Sequence, residues 1–192
     1  MATRKPKTVL YRRKREQRTD YNKRMSLLLS RKPRLVVRFT NQKIVVQLID
    51  FDAKGDKVLV GIDSSILSSH GWKYSLKNNP AAYLVGLLFG KKASEKGIKE
   101  AILDSGFKSP LKKGKIYVLL KGVLDSGMKV SHGDGLFPTE ERISGKDIQD
   151  YALKLKENKE LYEKRFAKYL KNNANPEKIV EEFNKIKQKI AA

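Results

Sequence analysis

The chain has 192 residues, an apolar fraction of 40% and a formal net charge of +21. This length suits one domain with a core plus extensions, since domains commonly run to roughly 100–150 residues. The sequence has no cysteine, which excludes a disulfide framework, a thiolate nucleophile and a cysteine-ligated zinc site. A charge this large opposes a compact monomer through self-repulsion, so it predicts a polyanionic partner, either nucleic acid or an anionic membrane.

The hydropathy pattern favours the nucleic acid. No stretch reaches the ~18 uninterrupted apolar residues that a spanning helix needs. The first residues lead into more charge rather than into an apolar signal core. We therefore expect neither export nor membrane insertion.

Residues 1–33 are predicted to be a basic arm that binds RNA. Residues 1–34 hold 13 Lys or Arg against 2 acids, an excess of +11 that is about half of the net charge. Basic side chains neutralise phosphates and release counterions, while aromatic rings and guanidinium planes stack on unpaired bases. The candidate RNA contacts of the arm are Arg4, Lys5, Lys7, Tyr11, Arg12, Arg13, Lys14, Arg15, Arg18, Tyr21, Arg24, Arg31 and Lys32. A solvated tail or a localisation signal is the alternative.

A three-stranded antiparallel meander is predicted to follow the arm, because β-branched and aromatic runs alternate with turn residues. The predicted strands are Arg34–Thr40, Lys43–Asp50 and Asp56–Ile62. The apolar runs at 35–37 and 44–46 indicate strands that are covered on both faces.

Three polar residues extend the candidate RNA surface onto the meander: Arg34, Arg38 and Asn41. Arg38 stands in an otherwise apolar run, where a charge needs a partner. A phosphate would serve, and so would an internal ion pair with an acid such as Asp50. Asn41 also has two alternative roles, as a turn residue or as an RNA contact.

The remaining elements complete a predicted α/β domain over residues 34–145 and a helical extension over residues 146–192. The first elements are a helix Ala81–Lys96, which follows an Asn79 cap and Pro80, a strand Lys99–Asp104 and a helix Lys115–Ser126. An irregular loop, 127–145, comes next. A capping box of Ser144 and Asp147 then precedes a helix from Ile148 to about Leu170, and a last helix begins at Pro176. Gly86 and Gly90 in the first helix favour close packing on the sheet. The last helix carries an apolar stripe of Ile179, Val180, Phe183, Ile186 and Ile190.

A metal-dependent nuclease is the alternative from another functional class. Its carboxylates would be Asp50, Asp52, Asp63, Asp104 and Asp125, gathered around Mg²⁺. Three of them precede turns, however, and turn chemistry accounts for aspartate there. The two histidines are too far apart in sequence to suggest a ligand pair. We therefore predict no catalytic residue, no metal site and no cofactor.

Short motifs follow one another in a specific order over residues 10–150. They are Tyr11-Arg12-Arg13-Lys14-Arg15-Glu16 with Thr19-Asp20-Tyr21, Arg34-Leu35-Val36-Val37-Arg38 with Thr40-Asn41, Gly71-Trp72, Asn79-Pro80-Ala81-Ala82-Tyr83-Leu84, Leu120-Lys121-Gly122 and His132-Gly133. In this order they resemble the universal large-subunit ribosomal protein that binds 5S ribosomal RNA, in its archaeal and eukaryotic form. The length is similar to that of the archaeal form.

The resemblance implies a fold similar to the ribonuclease-H-like three-layer α/β/α sandwich with a mixed sheet, without catalysis. It implies a cytoplasmic ribosomal protein that holds 5S rRNA against the large-subunit rRNA in the central protuberance. The other 5S-binding ribosomal protein and further large-subunit proteins would be its neighbours. The family's RNA contacts carry over to Arg12, Arg13, Arg15, Tyr21, Arg24, Arg38 and Asn41. A general RNA-binding protein is the rival within this class, and the free arm is expected to be loosely structured.

Overall fold

A five-stranded mixed sheet forms the centre of the protein, and a computed structural model describes it together with the rest of residues 9–191. The strands are β1 Arg34–Phe39, β2 Ile44–Asp50, β3 Lys57–Asp63, β4 Glu100–Asp104 and β5 Lys129–Val130. Their order across the sheet is β3-β2-β1-β4-β5. The first three strands pair antiparallel, whereas β4 runs parallel to β1 and β5 runs parallel to β4. The predicted meander and the α/β class are confirmed.

The two faces of the sheet are covered to different extents. In β1, Leu35 and Val37 are buried on one face, and Arg34 and Val36 are buried on the other. In β2 the buried positions alternate with partly exposed ones. The prediction of full cover on both faces is therefore correct for the first half of β1 and wrong for β2, because the N-terminal arm covers only part of the second face.

Nine helices accompany the sheet within the described residues. They are α1 Arg12–Arg15, α2 Tyr21–Leu28, α3 Ile66–Ser69, α4 Asn79–Glu95, α5 Lys115–Asp125, α6 Glu140–Ser144, α7 Lys146–Leu155, α8 Lys159–Lys171 and α9 Ile179–Ala191. A single 3-10 turn, Pro176–Lys178, leads into α9. No helix in this part of the chain has both the length and the apolar character needed to cross a membrane.

Several predicted boundaries are wrong, each for a local reason. Asn78, not Asn79, caps α4, since its Oδ1 accepts from the Ala81 amide at 3.0 Å. The single helix predicted from residue 148 to 170 is two helices, because the Asn158 side chain caps a new helix start. Gly145, with φ of +91°, separates α6 from α7, so no capping box forms there. The predicted loop 127–145 contains β5 and α6.

Helix α4 packs against α5 through glycine. A Cβ atom at Gly86 would collide with the carbonyl oxygen of Leu119, and one at Gly122 would collide with the carbonyl oxygen of Tyr83. The glycines of α4 therefore admit the backbone of α5, rather than the sheet as predicted. Helix α4 lies over β2 and β3, and α5 lies over β5, so the pair covers one face of the sheet.

The C-terminal helices share this core. Phe183 of α9 packs on Tyr83 of α4, with ring centroids 5.5 Å apart. The predicted stripe is buried at Ile179, Phe183, Ile186 and Ile190, which belong to the same apolar cluster as the strands. The segment after residue 145 is thus packed on the α/β core.

Candidate nucleic-acid interface

The described part of the arm folds over the sheet face opposite α4 and α5. The Asp20 side chain caps α2 by accepting from the Lys23 amide, and Arg13 Nε donates to Thr19 Oγ1 at 2.8 Å. The rings of Tyr11 and Tyr21 lie 5.6 Å apart and join the two ends of this turn. These local contacts accompany two short helices in the arm, Arg12–Arg15 and Tyr21–Leu28.

A network of arginines and aspartates joins the arm to the sheet. Arg34, only 4% exposed, donates from Nη1 to Asp104 Oδ2 at 3.0 Å and from Nη2 to Asp56 Oδ2 at 2.6 Å. Arg24 of α2 binds the same Asp56 with both Nη atoms, at 2.7 and 2.8 Å. Arg38 contacts Asp104 Oδ1 at 3.2 Å and its carbonyl oxygen at 2.8 Å. We call these five residues the arginine–aspartate network.

The network keeps Asp104 ionised in spite of its burial. Burial alone would raise the pKa of Asp104, but the Gly106 amide and the Arg38 guanidinium outweigh it, and the pKa falls below the usual value of 3.8. Three arginines then face two carboxylates, so the network retains one net positive charge. An internal partner for Arg38 was one of two alternatives, and that partner is Asp104 rather than Asp50. The parallel pairing of β1 with β4 brings Asp104 beside β1.

The loop after β4 adds a second basic segment beside the arm. Lys23 Nζ donates to Ser105 Oγ and to the Gly106 carbonyl oxygen, both at 3.0 Å, which fixes α2 to this loop. A cavity of about 180 Å³ is lined by Arg18 and Arg38 together with Phe107 and Lys108. Phe107 is 47% exposed. Sequence reasoning missed this loop, although an acid-free run from residue 105 to 124 with five lysines was visible.

The predicted contact residues fall into four groups. Arg4, Lys5 and Lys7 lie outside the described residues. Most of the others are exposed: Tyr11, Arg12, Arg13, Lys14, Arg15, Arg18, Arg31, Lys32, Arg38 and Asn41. Tyr21 and Arg24 are partly buried, and Arg34 is fully buried. Asn41 lines a different cleft, beside Lys77.

A comparison with protein families gives this arrangement a context. The family model of ribosomal large subunit proteins 60S L5 and 50S L18 matches residues 5–100, half of the chain. The chain belongs to this family. It is therefore an RNA-binding component of the large ribosomal subunit in the cytoplasm, with rRNA and ribosomal proteins as partners. The match includes the arm, the meander and α4.

In this ribosomal protein, the carboxylates of the nuclease alternative have structural partners. Asp63 pairs with Lys43, whose hydrogen bond lowers the pKa of Asp63. Asp125 accepts from the Tyr83 hydroxyl at 2.8 Å and pairs with Lys121. The other three aspartates accept from nearby backbone amides. Within residues 9–191, no group of three or more histidine, aspartate or glutamate side chains is placed to hold a metal ion.

Proposed function

We propose that the protein binds 5S rRNA through its arm, β1 and the loop after β4. In this role it helps attach 5S rRNA to the large-subunit rRNA in the central protuberance, beside the other 5S-binding ribosomal protein. The observation that carries the proposal is the arginine–aspartate network, which fixes a strongly basic arm at a defined place on a rigid sheet. A sheet-anchored arm presents phosphate ligands in a fixed geometry, whereas an untethered tail does not.

The exposed cations of residues 12–18, in α1 and directly after it, supply the electrostatic part of binding. The side chains of Arg12 and Arg18 are 74% and 62% exposed, and Glu16 is the one acid between them. Each phosphate that such a side chain neutralises releases condensed counterions, so affinity falls steeply with salt. Arg4, Lys5 and Lys7 would extend the same contact along the RNA.

The aromatic residues supply contacts to bases. Tyr11 is 75% exposed and Phe107 is 47% exposed, and both lie in basic segments. Unpaired bases in loops and bulges stack on such rings, which is how proteins commonly recognise folded RNA. Arg38, with 43% of its side chain exposed, lies next to the cavity beside Phe107.

Arg34 has a different role in this proposal. Its side chain is 5% exposed and binds Asp56 and Asp104. These are the same two carboxylates that bind Arg24 and Arg38, so Arg34 helps to position both arginines. We propose that these two residues, with Tyr21, contact RNA at the edge of the buried network.

The direct test is equilibrium binding of the full-length chain to 5S rRNA and to a control RNA of equal length. We expect tighter binding to 5S rRNA at moderate salt. Equal affinity would leave only a general RNA-binding protein.

A charge-matched pair of variants tests the arm. Replacing Arg12, Lys14 and Arg15 by Gln should reduce the slope of log affinity against log salt by about 2–3, since each phosphate contact contributes ~0.7–0.9. The control replaces Lys154, Lys159 and Lys164 on α7 and α8, which are exposed lysines outside the proposed surface. An unchanged slope in the arm variant would show that these cations do not bind phosphate.

A further inference from the structure

A second basic cleft lies between the β1–β2 turn, residues 72–77 and α8. Its volume is about 530 Å³, and it is lined by Asn41, Gln42, Ser68, Trp72, Lys73, Tyr74, Ser75, Leu76, Lys77, Lys168, Tyr169 and Asn172. Three of these residues are lysines and none is an acid. We call it the lysine cleft.

The lysines of this cleft are not neutralised internally. Among the ion pairs formed by residues 9–191, none involves Lys73, Lys77 or Lys168. Lys77 Nζ has the Asn41 carbonyl oxygen at 3.4 Å. Burial and the nearby charge of Lys77 together lower the pKa of Lys115 at the start of α5. Lys77 and Lys115 therefore lie close enough to repel each other, and a bound anion would relieve that repulsion.

Aromatic residues line the same cleft as these lysines. Trp72 and Tyr74 are buried, with ring centroids 4.9 Å apart. Trp72 Nε1 donates to the Ser75 carbonyl oxygen at 3.1 Å, and the Tyr74 hydroxyl donates to that of Asn175 at 2.7 Å. Tyr169 meets Tyr74 edge-on at 5.4 Å and stays partly exposed at the cleft.

The cleft also joins distant parts of the chain. Asn172 Nδ2 donates to the Lys73 carbonyl oxygen at 3.3 Å, which ties the end of α8 to the segment before α4. The acid-free loop 105–114 leads from the arm surface to Lys115, close to Lys77. Positive charge therefore continues from the arm to the lysine cleft.

We infer that the lysine cleft binds a second strand of RNA, with phosphates on Lys73, Lys77 and Lys168 and an unpaired base against Tyr169. Lysines and aromatic rings in one cleft match the two parts of a nucleotide, whereas an acidic peptide would need only the lysines. The inference rests on the proposed function only in taking RNA as the partner. The strand belongs either to 5S rRNA or to the large-subunit rRNA.

The test measures binding of the full-length chain to 5S rRNA, to the large-subunit rRNA and to polyglutamate. The cleft variant replaces Lys73, Lys77 and Lys168 by Gln, and the control is the charge-matched variant of Lys154, Lys159 and Lys164. We expect the cleft variant to lose at least tenfold in affinity for one of the two RNAs, and its salt slope to fall by about 2. The RNA that is affected identifies the source of the strand.

Trp72 reports occupancy locally, because it is the only tryptophan of the chain. Its fluorescence should change on addition of the affected RNA to the parent protein and to the control, and much less in the cleft variant. Equal RNA affinities of the cleft and control variants would overturn the inference, and so would a response to polyglutamate but not to RNA. The proposed function fails separately, if the Arg12, Lys14 and Arg15 variant keeps its full affinity for 5S rRNA.

Discussion

The arginine–aspartate network makes the stability of the protein depend on one buried carboxylate, Asp104. Asp104→Asn keeps the size of the side chain and leaves an oxygen that accepts from the Gly106 amide. It removes the negative charge that Arg34 and Arg38 share. Arg34 then remains buried with only Asp56 as an ionic partner.

The burial of Arg34 and Asp104 determines how much stability the Asp104→Asn variant should lose. The side chains of Arg34 and Asp104 are 5% and 8% exposed, and removing one partner of such a buried pair costs about 3–5 kcal/mol. Because Asp56 still compensates Arg34, we expect the lower end, about 3 kcal/mol. In a chain of this size, that loss corresponds to a decrease in Tm of about 6–12 °C.

Urea denaturation and thermal unfolding would measure the loss. The matched control is Glu100→Gln, which removes the same charge from an ion pair with Lys32 that is about half exposed on both sides. Water and salt screen an exposed pair, so its removal should change stability little. Equal losses in the two variants would refute the argument that burial makes the Asp104 pair matter.

Three further changes test the fold. Gly86→Ala should destabilise by about 1–3 kcal/mol through its collision with the backbone of α5, whereas Gly133→Ala has room for its methyl group and should be near neutral in the same unfolding assay. The pKa of Asp104 is lowered below 3.8, so the ionised carboxylate stabilises the folded state above pH 3.8, and this stabilisation should be lost as the pH falls below that value. The free energies of unfolding of the parent and of the Asp104→Asn variant should therefore become equal at low pH. Phe183→Ala should lower the free energy of unfolding by about 3–5 kcal/mol, and the protein should still unfold in a single cooperative transition. The control Leu170→Ala, at a position that is 40% exposed, should have a much smaller effect. A separate low-temperature transition of the C-terminal helices would contradict a shared core.

The sequence predicted those elements whose signals are local. The meander follows from β-branched runs between turns, α4 follows from an asparagine cap and Pro80, and α5 follows from apolar residues at helical spacing. The two-residue strand β5 carries too short a signal, since it exists only through its pairing with β4. The break between α7 and α8 was also missed, because apolar spacing continues across it and a single cap at Asn158 creates it.

The candidate interface divides in the same way. Charge density predicted a basic RNA-binding arm but could not show its helices or its place on the sheet. Asp104, the partner of Arg38, lies 66 positions away in the chain and is brought near by the parallel pairing of β1 with β4. No local pattern near Arg38 could have selected Asp104 over Asp50. The burial of Arg34 has the same origin.

The network also explains how a chain of charge +21 can hold α2 of its arm against the sheet. Arginines brought together on one sheet face would repel each other, and two aspartates placed between three arginines convert that repulsion into attraction. One positive charge is left over, and Arg38 keeps 43% of its side chain exposed to a ligand. Among the exposed cations of residues 12–18, ion pairs form only with Glu16, so we expect these cations to provide most of the salt-dependent attraction to RNA. In the proposed function, internal neutralisation therefore sets the geometry of the surface, and uncompensated charge sets its affinity for RNA.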